Sequence, residues 1–72
     1  MAREQLLSPM PGVVIEIQVS AQAAIRKGQS LFVVEAMKME TEVRAARSGV
    51  VQDLHVKEGD SVAVGSPILS LA

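Results

Sequence analysis

Displacing the chain against itself by 37 positions aligns its two halves without a gap. Gly12-Val13-Val14 falls on Gly49-Val50-Val51, Glu16-Ile17 on Asp53-Leu54, and Val19 on Val56. Ile25 meets Val62, Gly28 meets Gly65, Leu31-Phe32 meets Ile68-Leu69, and Val34 meets Leu71. Glycine thus coincides with glycine and apolar with apolar. Stacked solenoids need several units to bury their faces. Two copies in 72 residues instead predict one closed, pseudo-symmetric unit, a single domain spanning 1–72. Glu35 aligns with the last residue, Ala72, so Ala36 to Ala46 reads as an unmatched bridge between the halves. If a dyad relates the halves, that bridge leaves one end of the unit and the C-terminus leaves the other.

The local pattern is β. Val13, Ile15, Ile17 and Val19 alternate with Val14, Glu16 and Gln18, the period-two signature of a half-buried strand. Leu54 and Val56 keep that phase in the second half, and His55 falls on the opposite, polar phase with Val51 and Asp53. Pro9, Pro11-Gly12, Lys27-Gly28, Ser48-Gly49, Glu58-Gly59-Asp60 and Gly65-Ser66-Pro67 punctuate the chain as turns. The pattern predicts strands near 4–8, 13–19, 23–26, 31–36, 39–44, 50–56, 61–63 and 68–71, the spacing of a sandwich or barrel. Glu35 to Arg44 competes with this reading. It is rich in Ala, Met, Glu and Lys, all good helix formers, and its centre lacks the Asn-Gly or Asp-Gly that a two-residue hairpin prefers.

Composition excludes several classes. A chain this small buries only about 60% of its unfolded surface and is marginally stable. It has no cysteine for a disulfide or a thiolate metal site, which fits a reducing compartment. No apolar run approaches the ~20 residues of a membrane span, and Met1-Ala2-Arg3-Glu4 lacks the apolar core of a signal peptide. A formal charge of −1 argues against a phosphate-backbone partner. Phe32 is the only Phe, Tyr or Trp, so no stacking platform for bases exists. No nucleophile–base–orienter set can be assembled around His55, which reads as a surface histidine. Catalytic and metal-binding residues are therefore expected to be absent. Arg26-Lys27 and Arg44 with Arg47 read as solvated basic clusters with some capacity to contact partner subunits.

What remains is Glu35-Ala36-Met37-Lys38-Met39-Glu40. A flexible ammonium between two soft apolar side chains, at what should be an exposed tip, suits a surface built for recognition. Core packing is the commoner role of methionine, and a strand period sets Met37 and Met39 on the face opposite Lys38. Their place at the tip favours recognition; Met10 reads as packing. Glu35 reads equally as an edge-strand charge against aggregation. An ordinary lysine is neutral in only about one molecule in a thousand near pH 7.4. Were Lys38 a site of acylation, a separate enzyme would have to act on it as substrate, and the net charge would move from −1 to −2.

This hexapeptide resembles the attachment site of the biotinyl domains of biotin-dependent carboxylases, and the resemblance covers the chain from Leu7 to Leu71. Ser8-Pro9-Met10-Pro11-Gly12 is similar to the family's first turn, and Lys27-Gly28-Gln29-Ser30-Leu31 to the approach to the motif. Val43-x-Ala45-x-x-x-Gly49-x-Val51 and Val56-x-x-Gly59-Asp60-x-Val62-x-x-Gly65 follow as the family has them. The resemblance implies an all-β, flattened barrel of two four-stranded antiparallel sheets with two-fold pseudo-symmetry. It implies a non-catalytic biotin carboxyl carrier, with biotin covalently on Lys38 and Glu35, Ala36, Met37, Met39 and Glu40 as recognition residues. A biotin protein ligase would acylate Lys38 through biotinyl-adenylate. The ring would then travel between biotin carboxylase and carboxyltransferase, or decarboxylase, sites, with the isolated domain a monomer. Cytoplasm and mitochondrial matrix both fit. Two other readings stay open: a lipoyl-type carrier, whose lysine usually follows an aspartate, and an unmodified adaptor barrel, which generally lacks the Met-Lys-Met tip. One departure stands out. Gln22-Ala23 occupies the place where the family repeats the Gly-Asp of Gly59-Asp60, which predicts either a different turn or a less stable first half.

Overall fold

The computed structural model describes residues 4–72; Met1, Ala2 and Arg3 of the expected domain lie outside the described residues. Eight strands follow one another: β1 (Glu4–Leu7), β2 (Gly12–Ile17), β3 (Ala24–Ile25), β4 (Ser30–Ala36), β5 (Met39–Arg44), β6 (Gly49–Leu54), β7 (Ser61–Val62) and β8 (Pro67–Leu71). They form two antiparallel four-stranded sheets, ordered β1-β8-β6-β3 and β5-β4-β2-β7. The fold is the all-β flattened barrel-sandwich that the family resemblance implied, with the two-fold organisation that the repeat implied. Helix propensity in 35–44 loses because both flanking runs find strand partners, and tertiary pairing outweighs intrinsic preference.

The two sheets are images of each other. A displacement of 37 residues carries β1 onto β5, β2 onto β6, β3 onto β7 and β4 onto β8, and it carries one strand order onto the other. Loop hydrogen bonds repeat in the same way. Gly28 N–H donates to Ala45 O at 2.8 Å, and Gly65 N–H donates to Ser8 O at 2.9 Å. Val51 N–H donates to Ala23 O at 2.9 Å, as Val14 N–H does to Asp60 O. The symmetry reaches further than residue identity suggested. β5, inside the segment taken as an unmatched bridge, is the counterpart of β1. Glu4-Gln5-Leu6-Leu7 and Thr41-Glu42-Val43-Arg44 share a pairing geometry and one apolar match, Leu6 with Val43, both packed against the core, and part company at Leu7 and Arg44.

The core lies between the sheets. Leu31, Phe32 and Val34 of β4 cluster with Ile68, Leu69 and Leu71 of β8, their own dyad partners, and with Ile25, Ala45 and Val51. Met10 packs against this cluster, as its sequence position predicted. The burial phase of β2 departs from simple alternation. Val14 is fully buried while Val13 is exposed, and Ile15 and Ile17 are half-buried. The cause is a bulge: Val14 pairs with Val34, but Glu16 pairs with Val33, leaving Ile15 as an extra residue. β6 bulges at the matching place, Val51 pairing with Leu71 and Asp53 with Ser70. Val51 is therefore buried, not on the polar phase shared by Asp53 and His55.

The Gln22 turn keeps the shape of its counterpart at Gly59. Gln22 has φ of 74°, beside 97° at its counterpart Gly59. Gln22 N–H still donates to Val51 O, as Gly59 N–H does to Val14 O. The first half therefore bears a left-handed residue with a Cβ, which costs about 1 kcal/mol. Gln22→Gly should raise unfolding stability by about 0.5–1 kcal/mol, read as a higher melting temperature. Gly12 is constrained by space: a Cβ there would lie 2.4 Å from Glu35 O and 2.8 Å from Val34 Cγ1. Gly12→Ala should lower stability by about 1–3 kcal/mol in chemical denaturation.

Candidate functional site

β4 and β5 form the longest ladder, Glu35 facing Glu40 and Ala36 facing Met39. Only Met37 and Lys38 remain to reverse the chain. Their φ values, 51° and 66°, are both left-handed, the mark of a type I′ hairpin turn. Asn and Gly normally fill these places, because a Cβ in this region costs about 1 kcal/mol per residue. Here two residues with long side chains fill them. The strand phase expected for Met37 and Met39 does not hold, since Met37 lies within the turn. Met37 is 94% and Met39 69% exposed, so neither packs in the core, and Lys38 is exposed between them.

Ala36 is half-buried, while Glu35 and Glu40 are exposed and opposed across the ladder. Like charges in direct opposition destabilise a sheet by a few tenths of a kcal/mol or more. Glu42 and Glu4 have cationic partners, Arg44 and Arg47. Among the described residues neither Glu35 nor Glu40 has an ion pair. The structure thus gathers all six residues of the motif at one tip: one exposed ammonium, two exposed thioethers and two unneutralised carboxylates.

The tip stands away from Glu4 and Ala72. β5 leads from Met39 down to Arg44, which is paired with Ser30 at the foot of β4. Just beyond, the Arg47 guanidinium donates to Ala72 O at 3.2 Å and pairs with Glu4. A strand of seven residues spans about 20 Å, and the molecule measures 37 × 19 × 17 Å. The amine therefore projects from the end of the barrel opposite Glu4 and Ala72. The two basic clusters meet at the foot: Arg44 donates to Gly28 O at 2.9 Å, and Lys27 N–H donates to Ser48 Oγ at 3.2 Å.

His55 lies elsewhere. Its Nε2 is 2.9 Å from the buried Ser70 Oγ, and no group of three His, Asp or Glu residues poised for a metal occurs among the described residues. The arrangement at the tip presents an exposed amine to another molecule.

Leu7, Pro9, Pro11 and Val64 are all exposed, and the pairing of Leu7 with Pro67 and of Gly12 with Val62 puts them at the end of the barrel that carries Lys38. The signal for this set was available in the differences between the aligned halves, where Arg44, Ala46, Ser48 and Lys27 stand at the matching places.

The family model described as "Biotin-requiring enzyme" matches residues 4–71. The human mitochondrial propionyl-CoA carboxylase alpha chain is 41% identical over 66 residues, 92% of this chain and 9% of that one. The biotin carboxyl carrier protein of Streptococcus mutans is 34% identical over 71 residues, 99% of this chain and 55% of that one. The Kluyveromyces lactis urea carboxylase superposes with a TM-score of 0.89 at 28% identity, covering 100% of this chain and 6% of that one. The chain thus spans a small part of most of these proteins. If the left-handed pair at the tip is retained for what its side chains present, relieving it will stabilise the fold. Met37→Asn should raise unfolding stability by about 0.5–1 kcal/mol, measured by thermal or denaturant unfolding.

Proposed function

This chain belongs to the biotin-requiring enzyme family, and from that premise we propose that Lys38 is the residue on which its biotin is carried. The domain is a biotin carboxyl carrier of the kind found in biotin-dependent carboxylases. The observation that supports Lys38 is its position: an exposed amine at the apex of a two-residue turn, at the far end of the barrel from Glu4 and Ala72.

Attachment requires activated biotin from a ligase that uses ATP. The neutral Nζ attacks the acyl carbon of biotinyl-adenylate, an amide C–N bond forms, the C–O bond to AMP breaks, and the displaced amine proton passes to solvent. Bound biotin supplies a ring nitrogen that accepts and gives up a carboxyl group. The chain's own residues do the rest. The β4–β5 ladder holds the attachment point rigid, and Met37 and Met39 offer soft apolar contact to whichever active site receives the arm. With Glu4 and Ala72 at the foot, the tip is clear to sweep. The sites visited are a biotin carboxylase and a carboxyltransferase or decarboxylase, in the cytoplasm or the mitochondrial matrix. The domain itself catalyses neither half-reaction and acts as a monomer. No helix of the described residues is long and apolar enough to cross a membrane.

Co-expression with an active biotin ligase should raise the intact mass by one biotinyl group and shift the net charge from −1 to −2. Lys38→Ala and Lys38→Arg should abolish both changes while leaving the melting temperature within a few degrees of the parent. An unmodified parent, or a modified Lys38→Ala chain, would overturn the assignment.

A further inference from the structure

The pseudo-dyad supplies an internal control. Two ends of one barrel share the same backbone, so folding asks the same of matched positions, and a systematic difference in side chains calls for another cause. Arg26, Lys27, Arg44 and Arg47 stand at the foot. At the mouth their counterparts are Ala63, Val64, Leu7 and Met10. Pro11 and Pro67 likewise replace Ser48 and Ser30. Every basic residue of the foot turns has an apolar counterpart at the Lys38 end.

These apolar residues are not buried. Val64 is 68% and Leu7 46% exposed, and Pro9 and Pro11 are exposed beside them. Pairing puts them at one end of the barrel: Leu7 faces Pro67, Ser8 N–H donates to Ser66 O at 2.8 Å, and Gly12 pairs with Val62. Val13 pairs with Glu35 in the ladder that carries the tip. With Met37 and Met39 at the turn beyond them, the set forms an exposed apolar rim at the Lys38 end of the barrel.

We propose that this rim, Leu7, Pro9, Pro11 and Val64 together with Met37 and Met39, is the docking surface for the ligase that acylates Lys38. The inference rests on Lys38 as the acylated residue. Reach selects the ligase over the enzymes visited later. Unmodified Lys38 offers only its four-carbon stem, so the enzyme that first acylates it must bring its reacting centre to the tip and its surface against the barrel mouth. Enzymes that meet the loaded arm stand further off. Charge complementarity adds the second feature. The opposed Glu35 and Glu40 lack ion partners among the described residues, so the docking face is apolar with a cation set against that carboxylate pair.

Steady-state acylation of the chain by a purified biotin protein ligase with biotin and ATP, followed by intact mass, tests this. Leu7→Arg/Val64→Lys installs the residues that the foot already carries at the matched places, and Leu7→Ser/Val64→Ser removes the apolar groups without adding charge. KM for the chain should rise about tenfold in the first and at least about threefold in the second, with kcat within about twofold and melting unchanged. Arg26→Ala/Lys27→Val, the mirror change at the foot, should leave KM within about twofold. Mouth variants with a parental KM overturn the docking surface alone. A parent chain that accepts no biotin overturns the assignment of Lys38 and this inference with it.

Discussion

Burial of Leu31, Phe32 and Val34 against Ile68, Leu69 and Leu71 holds this molecule together, and each triplet is the dyad image of the other. A chain of 72 residues has little core to spare. Its total stability is of the order of 4–11 kcal/mol, and loss of one buried aromatic such as Phe32 costs about 3–5 kcal/mol. Burial and pairing with β2 and β5 fix β4 as far as Ala36, where the turn begins. The turn that bears Lys38 inherits its position from the core.

Where the fold is symmetric, its chemistry is not. Paired loops share hydrogen bonds almost atom for atom, yet one end carries arginine and lysine and the other proline, leucine, valine and methionine. The left-handed turn at Met37 and Lys38 and the opposed Glu35 and Glu40 break local rules at the same end. Strain and like-charge opposition persist where surrounding structure over-determines them. Here the longest ladder in the molecule does so. Gln22 is a different case. Its left-handed backbone lies away from the tip, and nothing in its surroundings uses the side chain beyond a 3.4 Å contact with Gln52 O.

The repeat made most of the architecture legible. Strand positions, turns and the buried residues of β4 and β8 follow from matched apolar periodicity. Three features did not. The bulges at Ile15 and Gln52 reverse the burial phase of β2 and β6, because an extra residue in a pleated strand moves every later side chain to the other face. The kinship of β1 and β5 is hidden because it rests on a single apolar match, Leu6 with Val43, while Leu7 faces Arg44 across the alignment. The turn at Met37-Lys38 bears none of the residues that announce a left-handed backbone.

The amino-acid sequence alone determined that this is a doubled β unit and that one lysine between two methionines is its distinctive chemistry. Both are local properties, written in periodicity and in a contiguous motif. Tertiary structure decided where things stand: Lys38 at the end opposite Glu4 and Ala72, four basic side chains gathered at the foot, and an apolar rim at the mouth. Those placements depend on which strands pair and in what register, and pairing is settled by cooperative burial across the whole chain, which no single stretch of residues encodes.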